Sequence, residues 1–192
     1  MIEYTSNQLL HWNYFIALEK DAEITSRYVE ICPENENTYS IEYSKLLMSA
    51  SSEVDVIMKE ICQYFAMNDY NINAYSNCIR IKCASIIDEE YFIKRYSLKC
   101  KPFSNWSTQE SNPDWWVAYN NVKHHRNINF IEANQKNTLN AVGALLICNI
   151  YLLTITSNTT IELALDSIEP KSSFFTLNNK YYYENVRYLS NS

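Results

Sequence analysis

The sequence predicts an all-α fold, a bundle of about five helices. Only one glycine, Gly143, and four prolines occur among the 192 residues. A β-sandwich or barrel of this size needs many tight turns, and such turns use glycine for positive φ angles. The shortage of glycine also excludes a glycine-rich phosphate loop and a dinucleotide-binding fingerprint. A chain of this length buries enough surface for an independent core, so one domain is expected.

Two long helices are predicted in the N-terminal third. The first extends from residue 7 to about residue 31 and ends because Pro33 excludes helical geometry from the residue before it. The second begins after Ser40, whose hydroxyl can cap it, and extends to about residue 67. Its apolar residues recur every three or four positions and form one stripe, made of Leu47, Ala50, Val54, Ile57, Ile61 and Phe65. A stripe of this kind packs against other helices.

The middle of the chain departs from this helical pattern. Residues 73–87 are predicted to form a shorter third helix. Residues 88–112 follow as an insertion, in which the aromatic and β-branched residues around Tyr91 and Phe103 favour an extended segment or a small β-ribbon. A fourth helix is then expected, with Asp114 at its N-terminal cap.

The fifth predicted helix is strongly apolar, with Thr138 as its cap. Its apolar run, 141–155, is about 15 residues long, whereas a membrane span needs roughly 20. We therefore expect a buried core helix and no membrane association. Gly143 lies inside this helix, where glycine costs about 1 kcal/mol relative to alanine. A close helix–helix crossing at Gly143 would offset that cost.

Residues 157–192 change character again. Asn, Ser, Thr and Pro residues separate short apolar runs such as 161–165, which predicts an irregular tail of short strands or extended chain. This C-terminal extension is expected to pack on the bundle of residues 1–156 within the same domain. The N-terminus lacks the basic and apolar segments of a signal peptide, which favours a cytoplasmic location.

Six cysteines are present, and no C-x-x-C motif occurs. Cys62 and Cys148 fall within apolar helical patterns, where a free cysteine behaves as a small buried hydrophobic residue. We expect reduced, structural thiols in a cytosolic protein. Cys78 and Cys83, taken with a histidine, have the wrong spacing for a zinc site. No metal and no other cofactor is expected.

Charge is unevenly distributed along the chain, whose net charge is −6. Residues 70–136 carry 9 Lys and Arg against 6 acidic residues, whereas residues 1–69 carry 4 against 12. The basic middle third is either ordinary solvated surface or a contact for RNA or another anion. The candidate RNA-binding residues are cations near the aromatic residues of the insertion and one histidine beyond it: Lys94, Arg95, Lys99, Lys101 and His125.

Residues 115–126 hold two of the four tryptophans and two of the three histidines. Residues four apart share one face of a helix, so Asn120 lies one turn before His124. Lys123 and Arg126 flank His124. A neutral imidazole can accept a proton near neutral pH, and neighbouring cations can stabilise developing negative charge at a phosphodiester. Alternatively, these polar groups are structural and hydrogen-bond to neighbouring helices.

The same helix carries the sequence YNNVKH at residues 119–124. It resembles the signature of the HEPN superfamily of small all-α bacterial and archaeal domains. That signature is an Arg, usually followed by Asn, and then a His four to six residues beyond the Arg, near the end of a helix. Asn120 and His124 match it, and Tyr119 stands in place of the Arg. The motif covers about six residues, and the similarity in architecture covers roughly residues 7–156.

The resemblance implies a homodimer whose two motifs face each other across a cleft. Many members cleave RNA without a metal ion, and others only bind RNA or a protein partner in toxin–antitoxin and phage-defence systems. The first functional hypothesis is therefore an RNA-directed protein, an endoribonuclease in which His124 takes the proton of the 2′-hydroxyl. Lys123 and Arg126 would stabilise the transition state, and Asn120 would orient His124 or the phosphate.

The second hypothesis is a non-catalytic helical interaction domain, such as an antitoxin or a defence-system partner, in which the polar helix is structural. Exposure separates the two hypotheses. A His124 that faces a solvent-accessible basic cleft favours the first, and a buried, fully hydrogen-bonded His124 favours the second.

Overall fold

The structure, a computed structural model, describes residues 2, 4–108 and 111–182. Within that part of the chain it contains seven α-helices and one two-stranded antiparallel sheet, which confirms the all-α bundle with a β-ribbon insertion. Five helices have 11 or more residues, and two are short. The elements are α1 (Ser6–Thr25), α2 (Ile41–Tyr64), α3 (Ile72–Lys82), α4 (Ser85–Asp88), β1 (Tyr91–Ile93), β2 (Leu98–Cys100), α5 (Asp114–Asn129), α6 (Gln135–Thr156) and α7 (Ile161–Ser167).

The core is organised around α2 and α6. The predicted stripe of α2 is buried along its length, apart from the half-buried Phe65. Every residue of 141–153 in α6 is buried, so this helix is covered on all sides by α1, α2, α5 and the ribbon. By length and composition α6 could cross a membrane, but 83% of its most apolar window is buried inside the bundle. It is the central helix of the packed core.

Side-chain caps fix the ends of several helices. Ser40 caps α2 as predicted, and its hydroxyl accepts a hydrogen bond from the backbone N–H of Tyr43 at 3.0 Å. The prediction that Thr138 caps the fifth long helix is wrong. Asn134 caps α6 instead, and Thr138 is buried in the first turn, where its hydroxyl donates to the carbonyl of Tyr43 at 3.1 Å.

Two predicted helices are shorter in the structure. The first was expected to reach residue 31 but ends at Thr25, because Ser26 turns its backbone N–H and its hydroxyl back to the carbonyl of Glu23. The predicted third helix, 73–87, is interrupted at Cys83, whose φ of −141° and ψ of 43° are not helical. The chain resumes there as the single turn α4.

The insertion forms the predicted ribbon, and its contact with Gly143 differs from the expected one. Tyr91 pairs with Cys100 across the antiparallel strands. A Cβ atom at position 143 would lie 2.1 Å from Cδ1 of the Tyr91 ring. A close approach at Gly143 is therefore present, but its partner is an aromatic ring of β1 and not a second helix.

The C-terminal segment packs on the bundle through specific polar contacts. The short run 161–165, predicted to be a strand or extended chain, belongs to α7, because Thr160 caps a helix there through the N–H of Leu163. Farther along, Thr176 forms an isolated bridge with Phe92 of the ribbon. The indole of Trp12 in α1 donates to the carbonyl of Pro170 at 2.9 Å. The end of the predicted extension, from residue 183, lies outside the described residues.

Candidate functional site

Aromatic packing holds the first half of α5. Trp115 is buried and donates from its indole nitrogen to the carbonyl of Pro102 at 2.8 Å, and its ring lies edge-on to Phe103. Asp114 was expected to cap this helix, but it is the first helical residue and no side chain caps the end. Its carboxylate instead accepts from the amide of Asn105 at 3.3 Å. Buried aromatic rings, and not a cap, therefore position α5.

The second half of α5 projects into solvent. The backbone leaves helical geometry at His125, where φ is −140° and ψ is 47°. His124, His125 and Arg126 are all exposed. The hydrogen bonds and ion pairs of the described residues include none from these three side chains. The end of α5 thus presents two imidazoles and a guanidinium to solvent.

Tyr119, which stands where the HEPN signature has Arg, is buried. Lys123 follows it by one turn and donates from Nζ to the phenolic oxygen of Tyr119 at 3.1 Å. The same ammonium lies 5.2 Å from the centre of the Tyr119 ring, within the range of a cation–π contact. A cation therefore lies at the tip of this tyrosine, next in the chain to His124.

Asn120 and Asn121 of α5 make hydrogen bonds to residues close to them in the chain. Asn120 donates from Nδ2 to the carbonyl of Trp116 at 3.1 Å, and no hydrogen bond among the described residues joins it to His124. Asn121 donates to both carboxylate oxygens of Glu132, at 3.2 and 2.9 Å. This pair connects α5 to the turn that follows it. Asn121 has a structural contact that the sequence analysis did not predict.

The cations of the ribbon are exposed, and their contacts are local. Lys101 forms an ion pair with Asp88 at 3.3 Å, and Lys94 lies 5.6 Å from the ring centre of Tyr182. Arg95 lies over the ring of its neighbour Tyr96, and Lys99 is exposed on β2. No hydrogen bond or ion pair among the described residues joins these four cations to the end of α5. They form a basic surface of their own on the ribbon.

A third histidine, His11, has an environment that the sequence analysis missed. Its side chain is buried, with Nδ1 hydrogen-bonded to Glu53 and Nε2 3.1 Å from Oε1 of Glu60. Glu60 also accepts from the amide of Asn7 at 2.8 Å. Glu53 and Glu60 are seven residues apart, which places them two turns apart on one face of α2. This i, i+7 spacing of carboxylates is the one signal in the sequence from which a shared partner could have been predicted.

The accessibility of the ring nitrogens separates His11 from His124. Both nitrogens of His11 face carboxylates, so the ring is fully hydrogen-bonded and ties α1 to α2. An imidazole whose two nitrogens both contact buried or half-buried carboxylates has no position left for a contact with a substrate. The ring of His124 has no partner among the described residues and is exposed. Of the two, His124 is the one that can exchange a proton with a bound molecule.

Metal ligation finds no support within residues 2, 4–108 and 111–182, where no group of three or more His, Cys, Asp and Glu residues can hold an ion. Four of the six cysteines are buried and all six are free. Burial raises the pKa of the Cys62 thiol to about 12 and that of Cys83 to about 11. Thiols with such pKa values remain protonated near neutral pH, and the thiolate is the form that attacks electrophiles and binds metals.

Comparison of the chain with protein-family models, with curated proteins and with solved structures finds no match. The function of the site is therefore inferred from the chemistry of its residues.

Proposed function

We propose that the protein is RNA-directed and that the exposed end of α5 cleaves RNA without a metal ion. The observation that carries this proposal is the exposure of His124 between Lys123 and Arg126, in a segment where no acidic side chain forms an ion pair with these residues. Phosphodiester cleavage needs a proton acceptor and cations at the same place, and this segment supplies both.

In the proposed reaction, His124 takes the proton of a ribose 2′-hydroxyl. The 2′-oxygen then attacks the adjacent phosphorus, and the bond from phosphorus to the 5′-oxygen of the next nucleotide breaks. The leaving oxygen takes a proton from solvent, and the products carry a 2′,3′-cyclic phosphate and a 5′-hydroxyl. Lys123 and Arg126 stabilise the negative charge on the phosphoryl oxygens, and Asn120 acts as a positioning residue one turn before His124.

The resemblance to HEPN domains adds the biological setting of the proposal. It implies a bacterial, cytoplasmic homodimer that acts in a defence or toxin–antitoxin system. His125 and the ribbon residues Lys94, Arg95, Lys99 and Lys101 would contact the RNA backbone, where cations supply affinity without sequence preference.

A non-catalytic interaction domain is the second candidate, and exposed apolar side chains favour it. Ile128 and Ile131, which follow the break in α5, are 72% and 60% exposed, and Ile41 is 66% exposed. Exposed apolar residues that lie close together are a feature of protein-binding surfaces. Under this alternative, the polar end of α5 borders a contact with another protein.

Cleavage of tRNA and of total RNA in the presence of EDTA tests the proposal. The wild-type protein should produce fragments with cyclic phosphate ends, and His124→Ala should remove that activity without lowering Tm, because the side chain is exposed. Asn127→Ala, at an exposed position near the same helix end, is the matched control and should keep the activity. An absence of cleavage by the wild type, together with capture of a defined protein partner that Ile128→Ser abolishes, would favour the interaction domain.

A further inference from the structure

A surface groove opens beside Arg126, the last residue of the proposed catalytic set. It lies between the N-terminal turns of α2 and the turn after α5, and its volume is about 700 Å³. Ile41, Met48 and Phe130 supply its apolar surface, and Ser44, Ser49 and Lys45 supply its polar atoms. The volume lies within the range of about 300–1,000 Å³ that is typical of ligand-binding pockets.

The apolar surface of the groove is open to solvent and contains an aromatic ring. Ile41 is 66% exposed, and Met48 and Phe130 are half-buried. The ring of Phe130 is held edge-on by Tyr39, at 5.7 Å between ring centres and an interplanar angle of 81°. Tyr39 is itself 49% exposed. The groove therefore offers apolar and aromatic surface to a ligand without displacement of a core side chain.

The charge of the groove indicates what kind of ligand it takes. Arg126 has no acidic partner among the described residues, whereas the ammonium of Lys45 is neutralised by Glu42 at 2.7 Å. The uncompensated positive charge therefore lies on the α5 side of the groove, on the residue two positions after His124 in the chain. A ligand that combines a flat apolar group with an adjacent anion matches this arrangement, and a nucleotide within an RNA strand is such a ligand.

We infer that this groove binds one unpaired nucleobase of the RNA, with the adjoining phosphate at Arg126. The inference rests on the proposed function and adds the conformation of the substrate to it. Bases in an A-form duplex are stacked on each other and their faces are closed to side chains, whereas bases of single strands and loops stack on aromatic residues. The protein should therefore prefer single-stranded RNA.

Fluorescence anisotropy with the His124→Ala protein measures binding without cleavage. The probes are an unstructured RNA oligonucleotide, a series of the same oligonucleotide with one abasic nucleotide moved along it, and a perfect RNA duplex. One abasic position and the duplex should each bind about tenfold more weakly, since stacking on one side chain contributes on that order per base. Added to His124→Ala, Phe130→Leu and Ile41→Ser should weaken binding of the intact oligonucleotide by a similar factor and have little further effect on the abasic one.

Ile81→Ser is the matched control, because Ile81 is 63% exposed on α3 and lines none of the described cavities. Ile41→Ser changes an exposed residue, so its result remains interpretable if Phe130→Leu lowers stability.

Equal binding of all probes, with cleavage by the wild type intact, would overturn the nucleobase site and leave the proposed function standing. A lack of binding and of cleavage for every RNA would overturn both. A shift from dimer to monomer in Ile41→Ser at unchanged RNA affinity would identify the groove as a surface between copies and overturn the nucleobase site.

Discussion

The ammonium group of Lys123 lies 3.1 Å from the phenolic oxygen of Tyr119, one turn earlier on α5. Tyr119 occupies the position at which the HEPN signature has a cation, and its buried ring cannot supply one. Lys123 brings a positive charge to the tip of that ring from four residues farther along the helix. The pair therefore holds a cation on the residue that directly precedes His124 in the chain.

Lys123→Gln and Tyr119→Phe test this pair separately. Lys123→Gln removes the charge and should reduce RNA cleavage by about 100-fold, the order of magnitude for loss of one group that stabilises the transition state. Tyr119→Phe removes only the hydrogen-bond acceptor and keeps the ring, so its effect should be about tenfold or less. Single-turnover cleavage rates measure both, with Tm as the check on folding. Equal activity of Lys123→Gln and wild type would exclude the lysine from the mechanism.

Much of the fold was predictable because it follows from local sequence. The stripe of α2 and its cap at Ser40 depend on residues within one helix or next to it, and the two strands of the ribbon lie within residues 91–100. The residues that make up the candidate site were predictable for the same reason. His124, Lys123 and Arg126 are neighbours in sequence, so they fall in one short segment of the chain whatever the fold around it.

The remaining features depend on contacts between distant segments. Ring packing of Tyr91 on Gly143 joins residues 52 positions apart in the printed sequence, and nothing near Gly143 identifies its partner. Likewise, His11 and Glu53 are brought together only when α1 packs on α2. The break at His125 was not predicted either, since the residues around it do not include Gly or Pro.

Gly143→Ala should destabilise the fold because its new methyl group would overlap the Tyr91 ring, with only 2.1 Å between the two carbon atoms. Forcing one extra carbon into a packed core costs about 1–3 kcal/mol, and the ring cannot move freely because its hydroxyl donates to Asn140 at 3.2 Å. Urea unfolding gives the free energy. The matched test is a double-mutant cycle with Tyr91→Leu, in which Gly143→Ala should cost less. A cost that is unchanged in the Tyr91→Leu background would show that the overlap is not its cause.

Glu19→Gln should loosen the C-terminal segment. The carboxylate of Glu19 is buried, and its Oε1 accepts from the backbone N–H groups of Ser173, Phe174 and Phe175, at 3.2, 2.9 and 2.9 Å. Replacing the charged acceptor weakens these bonds and turns an amide group toward the N–H donors, at a cost of about 2–3 kcal/mol. Limited proteolysis should then cut within 170–175. Glu23→Gln, one turn later on α1, is the control and should leave the cleavage pattern unchanged.

Alkaline pH should destabilise the protein through its buried thiols and phenols. Burial raises the pKa of Cys62 from 9.0 to about 12 and that of Cys83 from 9.0 to about 11, and it also raises the pKa of Tyr75 and Tyr181. The unfolded chain releases these protons at the ordinary pKa values, so the folded state binds more protons above about pH 9. The free energy of unfolding is therefore at its full value below about pH 9 and falls as the pH rises toward 11 and 12.

Urea unfolding at about pH 8, 9.5 and 10.5 measures this loss, and absorbance at about 295 nm reports tyrosine ionisation. Ionisation of the buried phenols should accompany unfolding, because burial keeps them protonated until the fold opens. Cys62→Ala should flatten the dependence on pH, since it removes one group that titrates differently in the two states. Cys32→Ala, at a half-buried position, is the control. An unfolding free energy that stays constant from pH 8 to 10.5 would show that these groups ionise alike in the folded and unfolded chains.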